Sequence, residues 1–377
     1  MKSINNKTVF VGVSGGVDSS VSAAILKDQG YNVVGVFIRT WTPDFIKCTW
    51  RDERRDAMRV CAHLDITFLE CDAENEYKKG VADYMIEEYK KGNTPNPDVM
   101  CNREVKFGVF WNFAKEHGAD FIATGHYTSI ENEIPFFKVL GRGRTRSQTI
   151  QKGNFPLRLV KGIDSTKDQS YFLWTLNQND LAHTFFPIGH LKKTEVRKLA
   201  LKYKLPTAIK KDSQGVCFLG PLDMKDFLGH YIEPKKGDVL DERGHIIGFH
   251  NGAIFFTLGE RHGFNINKHS ENNKPLYVIS KNIISNTITV SDNFLNINNN
   301  EFIEYNLINT NWINNKPTED KKYTAQIRYH GALLPSKIKI LEGNKAIINF
   351  DKPILVSAGQ SIVIFDKDIC LGGGVVI

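Results

Sequence analysis

The sequence predicts an α/β domain with a parallel sheet and flanking helices, followed by a small central domain and a C-terminal antiparallel β-barrel. Three successive patterns support this prediction. Apolar strand-like runs alternate with helical patterns up to about residue 206, shorter pieces follow, and short alternating strands fill the rest. Alternating strands and helices are typical of a parallel sheet covered on both faces, whereas consecutive short strands are typical of a barrel. We therefore predict three domains, which span residues 1–206, 207–273 and 274–377.

The N-terminal domain is predicted to run in strand–helix order. Three glycines, Gly30, Gly92 and Gly118, fall where helices should end, which supports these helices. In chain order the elements are the strand TVFVGV, a helix ending in LKDQG, the strand YNVVGVFI, the helix DERRDAMRVCAHL, the strand ITFLEC, the helices EYKKGVADYMIEEYKKG and REVKFGVFWNFAKEHG, and the strand ADFIATGHY.

The two remaining domains are predicted from shorter segments. The central domain is predicted to have one helix, LDMKDFLGHYI, and a β-hairpin in DVLDERGHIIGFHNGAIFFT. The C-terminal domain has the strands PLYVIS, NTITVS, YTAQIRYHG, PSKIKIL, KAIINF, QSIVIF and CLGGGVVI. We expect the Asn- and Lys-rich stretch 296–322 to be a loop.

Composition restricts the class of protein. A chain of 377 residues that is 41% hydrophobic can form two or three domains with proper cores. Its formal charge of +7, from 49 basic and 42 acidic residues, is compatible with a polyanionic partner. There is no apolar signal region and no run of about 18 apolar residues, so we expect a cytoplasmic protein without a membrane partner.

The six cysteines form no C-x-x-C pair and no cluster with histidine at zinc spacing, so no metal site is predicted from them. In a reducing compartment they are expected to be free thiols, most of them small buried hydrophobic side chains. They are Cys48, Cys61, Cys71, Cys101, Cys217 and Cys370.

The stretch GVSGGVDSS, residues 12–20, lies between the first predicted strand and the first predicted helix. Its glycines allow a tight turn, and the free N–H groups of the following helix point into the same loop, which suits a phosphate. The stretch lacks the lysine of a Walker A loop and does not fit G-x-G-x-x-G. The alternative is a glycine-rich turn in which Asp18 caps a helix.

The motif S-G-G-x-D-S resembles the PP-loop of the ATP pyrophosphatases, which have an adenine nucleotide α-hydrolase-like fold. The segments TPNPDVMCN, ATGHY, KDQSYFL, DSQGVCFLG, FTLGERHG and CLGGGVVI extend the resemblance over essentially the whole chain, to the bacterial tRNA-specific 2-thiouridylases of the MnmA family. The resemblance implies ATP-dependent 2-thiolation of the wobble uridine in the tRNAs for Lys, Glu and Gln. In that reaction, the C2 oxygen is adenylated and sulfur comes from a cysteine persulfide.

The resemblance also implies the nucleotide-binding residues. Mg²⁺ is expected to screen the pyrophosphate, although no pair of acidic residues can be identified as its dedicated ligands. The residues expected to bind ATP are Gly12, Val13, Ser14, Gly15, Gly16, Val17, Asp18, Ser19, Ile38 and Gly125.

In TPNPDVMCN, two prolines stiffen the approach to a helix that Asn102 is expected to cap. Cys101 would then lie beside the positive end of the helix, with a depressed pKa and a nucleophilic thiol. Its alternative role is that of a buried packing cysteine. Asp98 is a candidate general acid or base, and its alternative role is that of an ordinary loop carboxylate.

In KKDSQGVCFLG, we expect Lys210 and Lys211 to favour a thiolate at Cys217, and Gly215 to allow its close approach to a partner. From the residues alone, a core cysteine in an apolar strand is the better interpretation. The resemblance instead makes Cys217 the persulfide carrier and Cys101 the thiol that resolves the persulfide. A transient Cys101–Cys217 disulfide would then be reset by external thiols. The sulfur donor would be a cysteine desulfurase or a sulfur-relay protein.

The remaining site predictions concern tRNA. The target uridine would be flipped into a pocket near Asn96, Pro97 and Asp98. A basic segment, residues 142–161, is a further candidate for the tRNA backbone or is simply a solvated loop; it includes Arg142, Arg144, Arg146, Lys152 and Arg158. Other residues that the resemblance assigns to tRNA are Lys167, Asp168, Gln169, Arg328 and Tyr329.

Three rival functions use parts of the same pattern. Another PP-loop enzyme acting on a small acid would not need Cys101 and Cys217. A thiolase with an iron–sulfur cluster would need a cysteine triad that these spacings do not supply. A non-catalytic tRNA-binding protein would be expected to have lost Asp18 or the cysteines, which are present.

Overall fold

The structure is a computed structural model that describes residues 7–46, 50–132, 156–212, 215, 217–220, 222–267, 274–292 and 303–377.

A parallel sheet forms the centre of the N-terminal domain. The first seven strands of the chain are β1 (Thr8–Gly12), β2 (Asn32–Arg39), β3 (Thr67–Asp72), β4 (Phe121–Ala123), β5 (Thr128–Asn132), β6 (Leu157–Lys161) and β7 (Thr184–Phe185). Five of these strands pair in the order β3-β2-β1-β4-β7, and every pair is parallel. In the central strand β1, Val9 and Val11 pack into one core cluster and Phe10 into another, so both faces are covered. The predicted α/β layer is therefore confirmed.

The helices cover this sheet. In the described residues they are α1 (Val17–Asp28), α2 (Trp50–His63), α3 (Glu74–Tyr77), α4 (Tyr84–Lys90), α5 (Pro97–Met100), α6 (Phe110–Glu116), α7 (Gln178–Ala182), α8 (Lys193–Lys202) and α9 (Met224–Gly229). A π-helical segment joins α3 to α4, and a second one, Cys101–Val109, joins α5 to α6. Gly30, Gly92 and Gly118 follow helix ends with φ of +89°, +84° and +85°, as their positions predicted.

The hairpin of β5 and β6 leaves the parallel sheet. Its strands pair antiparallel with each other, and β6 pairs with residues 369 and 370 near the C-terminus. A segment that follows the fourth parallel strand in sequence thus lies in the sheet of the C-terminal barrel, and the predicted boundary at residue 206 stays a prediction.

The central domain contains a five-stranded sheet. Its strands are β8 (Gly237–Leu240), β9 (Ile246–His250), β10 (Phe264–Ile266), β11 (Tyr277–Asn282) and β12 (Thr287–Ser291). Their order is β10-β9-β8-β12-β11, and β8 and β12 are parallel while the other pairs are antiparallel. The sheet therefore includes strands from both sides of residue 273.

The C-terminal strands close into a barrel. They are β13 (Glu304–Trp312), β14 (Tyr323–Gln326), β15 (Leu334–Leu341), β16 (Lys345–Phe350), β17 (Ser361–Asp366) and β18 (Ile369–Val376). The order β13-β16-β15-β14-β17-β18 is completed by pairing of β18 with β13, so the predicted antiparallel barrel is confirmed. The predicted loop at 296–322 is wrong where β13 lies, because Tyr305 and Leu307 point into the barrel core on either side of the exposed Asn306.

Among the described residues, no helix is both long enough and apolar enough to span a bilayer.

Candidate active site

The glycine loop after β1 contains a position that only glycine can occupy. Gly15 has φ of +70°, and a Cβ atom there would lie 2.6 Å from Glu53 O. Only glycine fits this position, because the conformation and the space both exclude a side chain. The Oγ of Ser14 and that of Ser19 lie 3.3 Å apart, and Ser20 Oγ donates to Gly16 O at 2.6 Å. The loop therefore leads directly into the first turn of α1, whose free N–H groups face the same space.

Two other residues predicted to bind ATP lie against this loop. A Cβ at Gly125 would be 2.8 Å from Ser19 N, so the segment after β4 packs on the first turn of α1. Ile38 Cδ1 lies 3.7 Å from the place of a Cβ at Gly12. The predicted nucleotide residues are thus brought together, although they come from three separate strands.

A small pocket lies at the end of β2. Ile38 lines it together with Phe218 and Leu219, which directly follow Cys217. The residues after the second cysteine therefore lie against the strand that carries Ile38. The lining residues of the pocket are Phe37, Ile38, Thr40, Thr42, Ile46, Trp50, Glu53, Phe218 and Leu219.

Asp18, the carboxylate of the loop, has two partners from distant parts of the chain. Tyr127 donates its hydroxyl to Asp18 Oδ1 at 2.7 Å, and Lys193 Nζ donates to the two carboxylate oxygens at 2.8 and 2.9 Å. The side chain of Lys193 is only 14% exposed. Burial, followed by the charge of Asp18, raises the pKa of Tyr127. Sequence reasoning missed Lys193, because nothing within one helix relates it to a loop 175 residues away.

A second carboxylate, Asp212, joins three basic side chains. Lys193 lies 2.8 Å from it, Arg197 2.5 Å and Lys167 3.2 Å. Desolvation acts to raise the pKa of Asp212, but the hydrogen bonds and charges of Lys193 and Lys167 outweigh it and lower the pKa to about 2. Lys193 also binds Asp18 of the glycine loop. Because Asp212 lies five residues before Cys217 in the sequence, Lys193 connects the glycine loop to the segment that leads to Cys217.

The two candidate catalytic cysteines lie side by side. Cys101 Sγ is 3.2 Å from Cys217 Sγ, and both are free thiols. Asp98 Oδ1 accepts a hydrogen bond from Cys217 N at 2.9 Å, and Tyr77 donates its hydroxyl to Cys217 O at 2.7 Å. Desolvation raises the pKa of Asp98. The structure thus brings together three residues that sequence reasoning proposed for one reaction, across 116 residues of chain.

The predicted environment of Cys101 is wrong in two respects, the helix cap and the depressed pKa. Asn96, not Asn102, caps the helix, since its side chain accepts from Asp98 N at 3.1 Å and from Val99 N at 3.2 Å. Cys101 is therefore one turn inside the helix and fully buried, so that burial raises its pKa well above the usual value. Pro97 in the first turn was the available signal, because proline favours that position.

The thiolate is instead favoured at Cys217. The hydrogen bond from Cys101 is the main cause that lowers the pKa of Cys217, and the charge of Lys106 adds to it. The lysines predicted for this role are not its partners: Lys210 forms an ion pair with Asp56 at 2.8 Å, and Lys211 is exposed.

The predicted tRNA residues divide into exposed and internally bonded ones. Arg328 is exposed, and the ring of Tyr329 packs against that of Phe172 at a tilt of 41°, with the ring centres 4.5 Å apart. Burial, followed by the charges of Asp168 and Asp98, raises the pKa of Tyr329 to about 12, so the barrel contributes this ring close to the cysteine site. Asn96, Pro97 and Asp98 are partly exposed.

Two of the predicted tRNA residues accept hydrogen bonds from N–H groups of the protein backbone. Asp168 accepts from Gly162 N at 3.0 Å and Ser170 N at 3.1 Å, and Gln169 Oε1 accepts from Tyr127 N at 3.0 Å. Most of the basic segment lies outside the described residues, including Arg142, Arg144, Arg146 and Lys152; Arg158 lies on β6.

The other described cysteines are packing residues. Cys61, Cys71 and Cys370 are each 1% exposed, and burial raises the pKa of each thiol to about 12. Cys48 lies outside the described residues. Within the part of the chain that the structure describes, no group of three or more His, Cys, Asp or Glu side chains is arranged to hold a metal ion.

Comparison with known proteins assigns the chain to a class. Family models match residues 7–221 as a tRNA methyl transferase HUP domain, 225–292 as a tRNA methyl transferase PRC-barrel domain and 304–376 as an aminomethyltransferase beta-barrel domain. The fold, the glycine loop and these matches define an enzyme of tRNA modification.

The relatives narrow this class. The tRNA-specific 2-thiouridylase MnmA of Buchnera aphidicola subsp. Acyrthosiphon pisum is 41% identical over 98% of this chain and 97% of its own length. The MnmA proteins of Enterococcus faecalis and Stenotrophomonas maltophilia are 39% and 42% identical, over 99% and 98% of this chain and 96% and 93% of their own lengths. The chain belongs to the family of tRNA-specific 2-thiouridylases, which are tRNA sulfurtransferases.

Two solved structures share a more distant likeness. The U34-tRNA thiolase NcsA from Methanococcus maripaludis with its [4Fe-4S] cluster is 17% identical, with a TM-score of 0.35 over 60% of this chain and 64% of that chain. A 4-thiouridine synthetase in complex with RNA and ATP is 17% identical, with a TM-score of 0.34 over 58% and 46% of the two chains. Such scores give no basis for transferring a site or a cofactor.

Proposed function

We propose that this enzyme uses ATP to convert the wobble uridine of the tRNAs for Lys, Glu and Gln to 2-thiouridine, with sulfur from a persulfide on Cys217. The observation that carries the proposal is the 3.2 Å separation of the Cys101 and Cys217 sulfur atoms. Lys193 links the glycine loop to the segment before Cys217, because it binds both Asp18 and Asp212. A nucleotide loop and a thiol pair connected in this way suit an activated base that is then attacked by sulfur.

In the first step, the C2 oxygen of the uridine attacks the α phosphate of ATP, which forms an adenylated base and releases pyrophosphate. The N–H groups of the glycine loop and the first turn of α1 would hold the phosphates. Lys193 would add a positive charge as it exchanges Asp18 for the phosphate oxygens. Mg²⁺ would neutralise charge on the pyrophosphate, and Asp18 is the loop carboxylate that suits this oxygen-binding ion.

In the second step, sulfur replaces AMP at C2. The Cys101 thiolate attacks the inner sulfur of the Cys217 persulfide, so that a Cys101–Cys217 disulfide forms and hydrosulfide leaves with the electron pair. Hydrosulfide then adds to C2 and expels AMP. Alternatively the outer persulfide sulfur attacks C2 directly, and Cys101 cleaves the resulting adduct afterwards. Both routes end in the same disulfide, which an external thiol reduces.

Asp98 would exchange the proton in this step. Its carboxyl accepts a hydrogen bond from Cys217 N, beside the cysteine pair. Burial raises its pKa towards neutral pH, and a general acid or base works best when its pKa is close to the working pH. Before Cys101 can attack, its proton must also leave, because burial holds this thiol neutral. Asp98, whose charge acts on Cys101, is the carboxylate that we assign to that transfer.

The tRNA would lie across the cysteine site and the barrel. Asn96, Pro97 and Asp98 would border the flipped base, and Lys167, Arg328 and Tyr329 would contact its surroundings. Asp168 and Gln169 would act by holding this region in place. Such a substrate favours the predicted cytoplasmic location, and a cysteine desulfurase or a relay protein would supply the sulfur.

The test is to incubate the enzyme with unmodified tRNA, ATP, Mg²⁺ and a protein persulfide, and to analyse the nucleosides by mass. We expect uridine at the wobble position to gain sulfur in place of oxygen, with one pyrophosphate released per modified base. Pyrophosphate release that depends on a small carboxylic acid and not on tRNA would contradict the proposal.

A further inference from the structure

Lys106 is a basic residue inside the cysteine site whose role none of the preceding steps uses. It lies in the π-helical segment Cys101–Val109, on the same helix as the first cysteine. Its ammonium lies 3.5 Å from His126 Nε2 and 5.8 Å from the centre of the Phe218 ring, in the residue next to Cys217, and its charge lowers the pKa of Cys217. Lys106 therefore points into the site rather than along the surface.

The groups around Lys106 leave Cys217 as its natural anionic partner. Among the described residues, no carboxylate lies within ion-pair distance of Lys106, and Cys217 and Cys101 act on it more strongly than Asp98 does. A desolvated ammonium requires a nearby negative charge, or it loses its proton. Of the two sulfurs, Cys101 is the one that burial keeps protonated.

His126 is arranged to complement a charged Lys106. Thr124 Oγ1 lies 2.7 Å from His126 Nδ1, which leaves Nε2 facing the ammonium. Burial, and then the charge of Lys106, lowers the pKa of His126 well below its usual value, so this ring is neutral. A neutral ring can accept from the ammonium without competing with it as a second cation.

We propose that Lys106 is the counter-ion that holds the sulfur of Cys217 as an anion, and that it is thereby a catalytic residue for loading of the persulfide. The proposal rests on the proposed role of Cys217 as sulfur carrier. In loading, the Cys217 thiolate attacks the outer sulfur of a donor persulfide, R–S–SH. A bond forms between these two sulfurs, the donor S–S bond breaks, and R–S⁻ leaves with the electron pair. Lys106 keeps the attacking sulfur deprotonated at neutral pH.

The experiment measures the pH dependence of Cys217 alkylation in the ligand-free enzyme. Iodoacetamide is the probe, and peptide mass spectrometry separates Cys217, which is partly exposed, from the buried cysteines. The titrating or charged groups that face Cys217 are Cys101, Asp98 and Lys106 on one helix and Tyr77 on α3. The variants to compare are Lys106→Met, which removes the charge, Lys106→Arg, which keeps it, and Lys211→Met, which removes an exposed charge.

We expect Lys106→Met to shift the alkylation midpoint to higher pH and to slow alkylation at pH 7 by about tenfold or more. Lys106→Arg should restore most of the rate, and Lys211→Met should behave as wild type. A folded Lys106→Met variant with an unchanged midpoint would overturn the proposal. The wild type gives a second test that needs no variant, because a Cys217 midpoint at or above about 8.5, the value of a free cysteine, would also overturn it.

These readouts are independent of tRNA thiolation. If the enzyme failed to thiolate tRNA while Cys217 alkylation still depended on Lys106, the proposed function would be wrong and the counter-ion role of Lys106 would be supported. If tRNA thiolation occurred while Cys217 alkylation did not depend on Lys106, the proposed function would be supported and the counter-ion role would be wrong.

Discussion

Replacement of Gly125 by alanine should weaken ATP binding and leave tRNA binding nearly unchanged. A Cβ at this position would lie 2.8 Å from Ser19 N and 2.9 Å from the carbonyl carbon of Asp18. These are backbone atoms of the first turn of α1, so they cannot move aside as the tip of a flexible side chain can. Overpacking of this kind costs about 1–3 kcal/mol.

This free-energy cost should weaken ATP binding more than it destabilises the free enzyme. The empty loop can relax by a small shift of the turn, whereas bound phosphates require its N–H groups in place. A cost of about 1–3 kcal/mol then corresponds to a rise of about 5- to 150-fold in the Kd for ATP. Titration calorimetry with ATP and Mg²⁺ measures this directly, and a filter-binding assay gives the Kd for tRNA.

The matched control is Gly229→Ala, at the last residue of α9, where a Cβ would meet no atom within 4 Å. It should bind ATP as wild type does. If Gly125→Ala kept the wild-type Kd, or if both variants lost affinity equally, the placement of the nucleotide at this loop would be refuted.

Three further predictions concern the charged network and the thiols. Lys193→Met should reduce pyrophosphate release strongly and leave tRNA affinity nearly intact, as a pyrophosphate assay beside tRNA binding would test. Asp212→Asn should remove about 1 kcal/mol of stability near pH 7, after allowance for solvent screening. Because the folded pKa of Asp212 is lowered to about 2, this stability is present above the unfolded pKa of about 3.9 and is lost as pH falls towards 2. Urea unfolding of both proteins between pH 7 and pH 2 should therefore show a difference that shrinks towards low pH; a constant difference would contradict the assigned ion pairs. Cys101→Ala and Cys217→Ala should each abolish tRNA thiolation, whereas Cys61→Ala should retain it with a modest loss of stability; full activity of either of the first two would exclude the two-thiol mechanism.

Local patterns in the sequence predicted those parts of the site that local structure creates. The glycine loop is one: residues 12–20 contain both the turn and the start of the helix, so the phosphate site needs no distant information. The parallel sheet is another, because strands buried on both faces are continuous apolar runs. The cysteine pair was predicted only through the family resemblance, since Cys217 by itself looks like a core residue.

Long-range contacts account for what the sequence did not predict. Lys193 and Lys106 look like ordinary helix lysines until the fold places an anion beside each. The β5–β6 hairpin joins the barrel through pairing with β18, more than 200 residues later. Strand β13 was missed because the exposed Asn306 and Asn309 conceal the alternation of Tyr305 and Leu307.

We propose above all that two thiols and one nucleotide loop form a single sulfur-transfer site. A single turnover without external thiol tests this most directly. Enzyme loaded with persulfide is mixed with ATP, Mg²⁺ and unmodified tRNA, and both 2-thiouridine and disulfide-linked peptides are quantified by mass spectrometry. We expect one Cys101–Cys217 disulfide for each 2-thiouridine formed, and neither product when ATP is omitted. Accumulation of 2-thiouridine while both cysteines remained free thiols would contradict it.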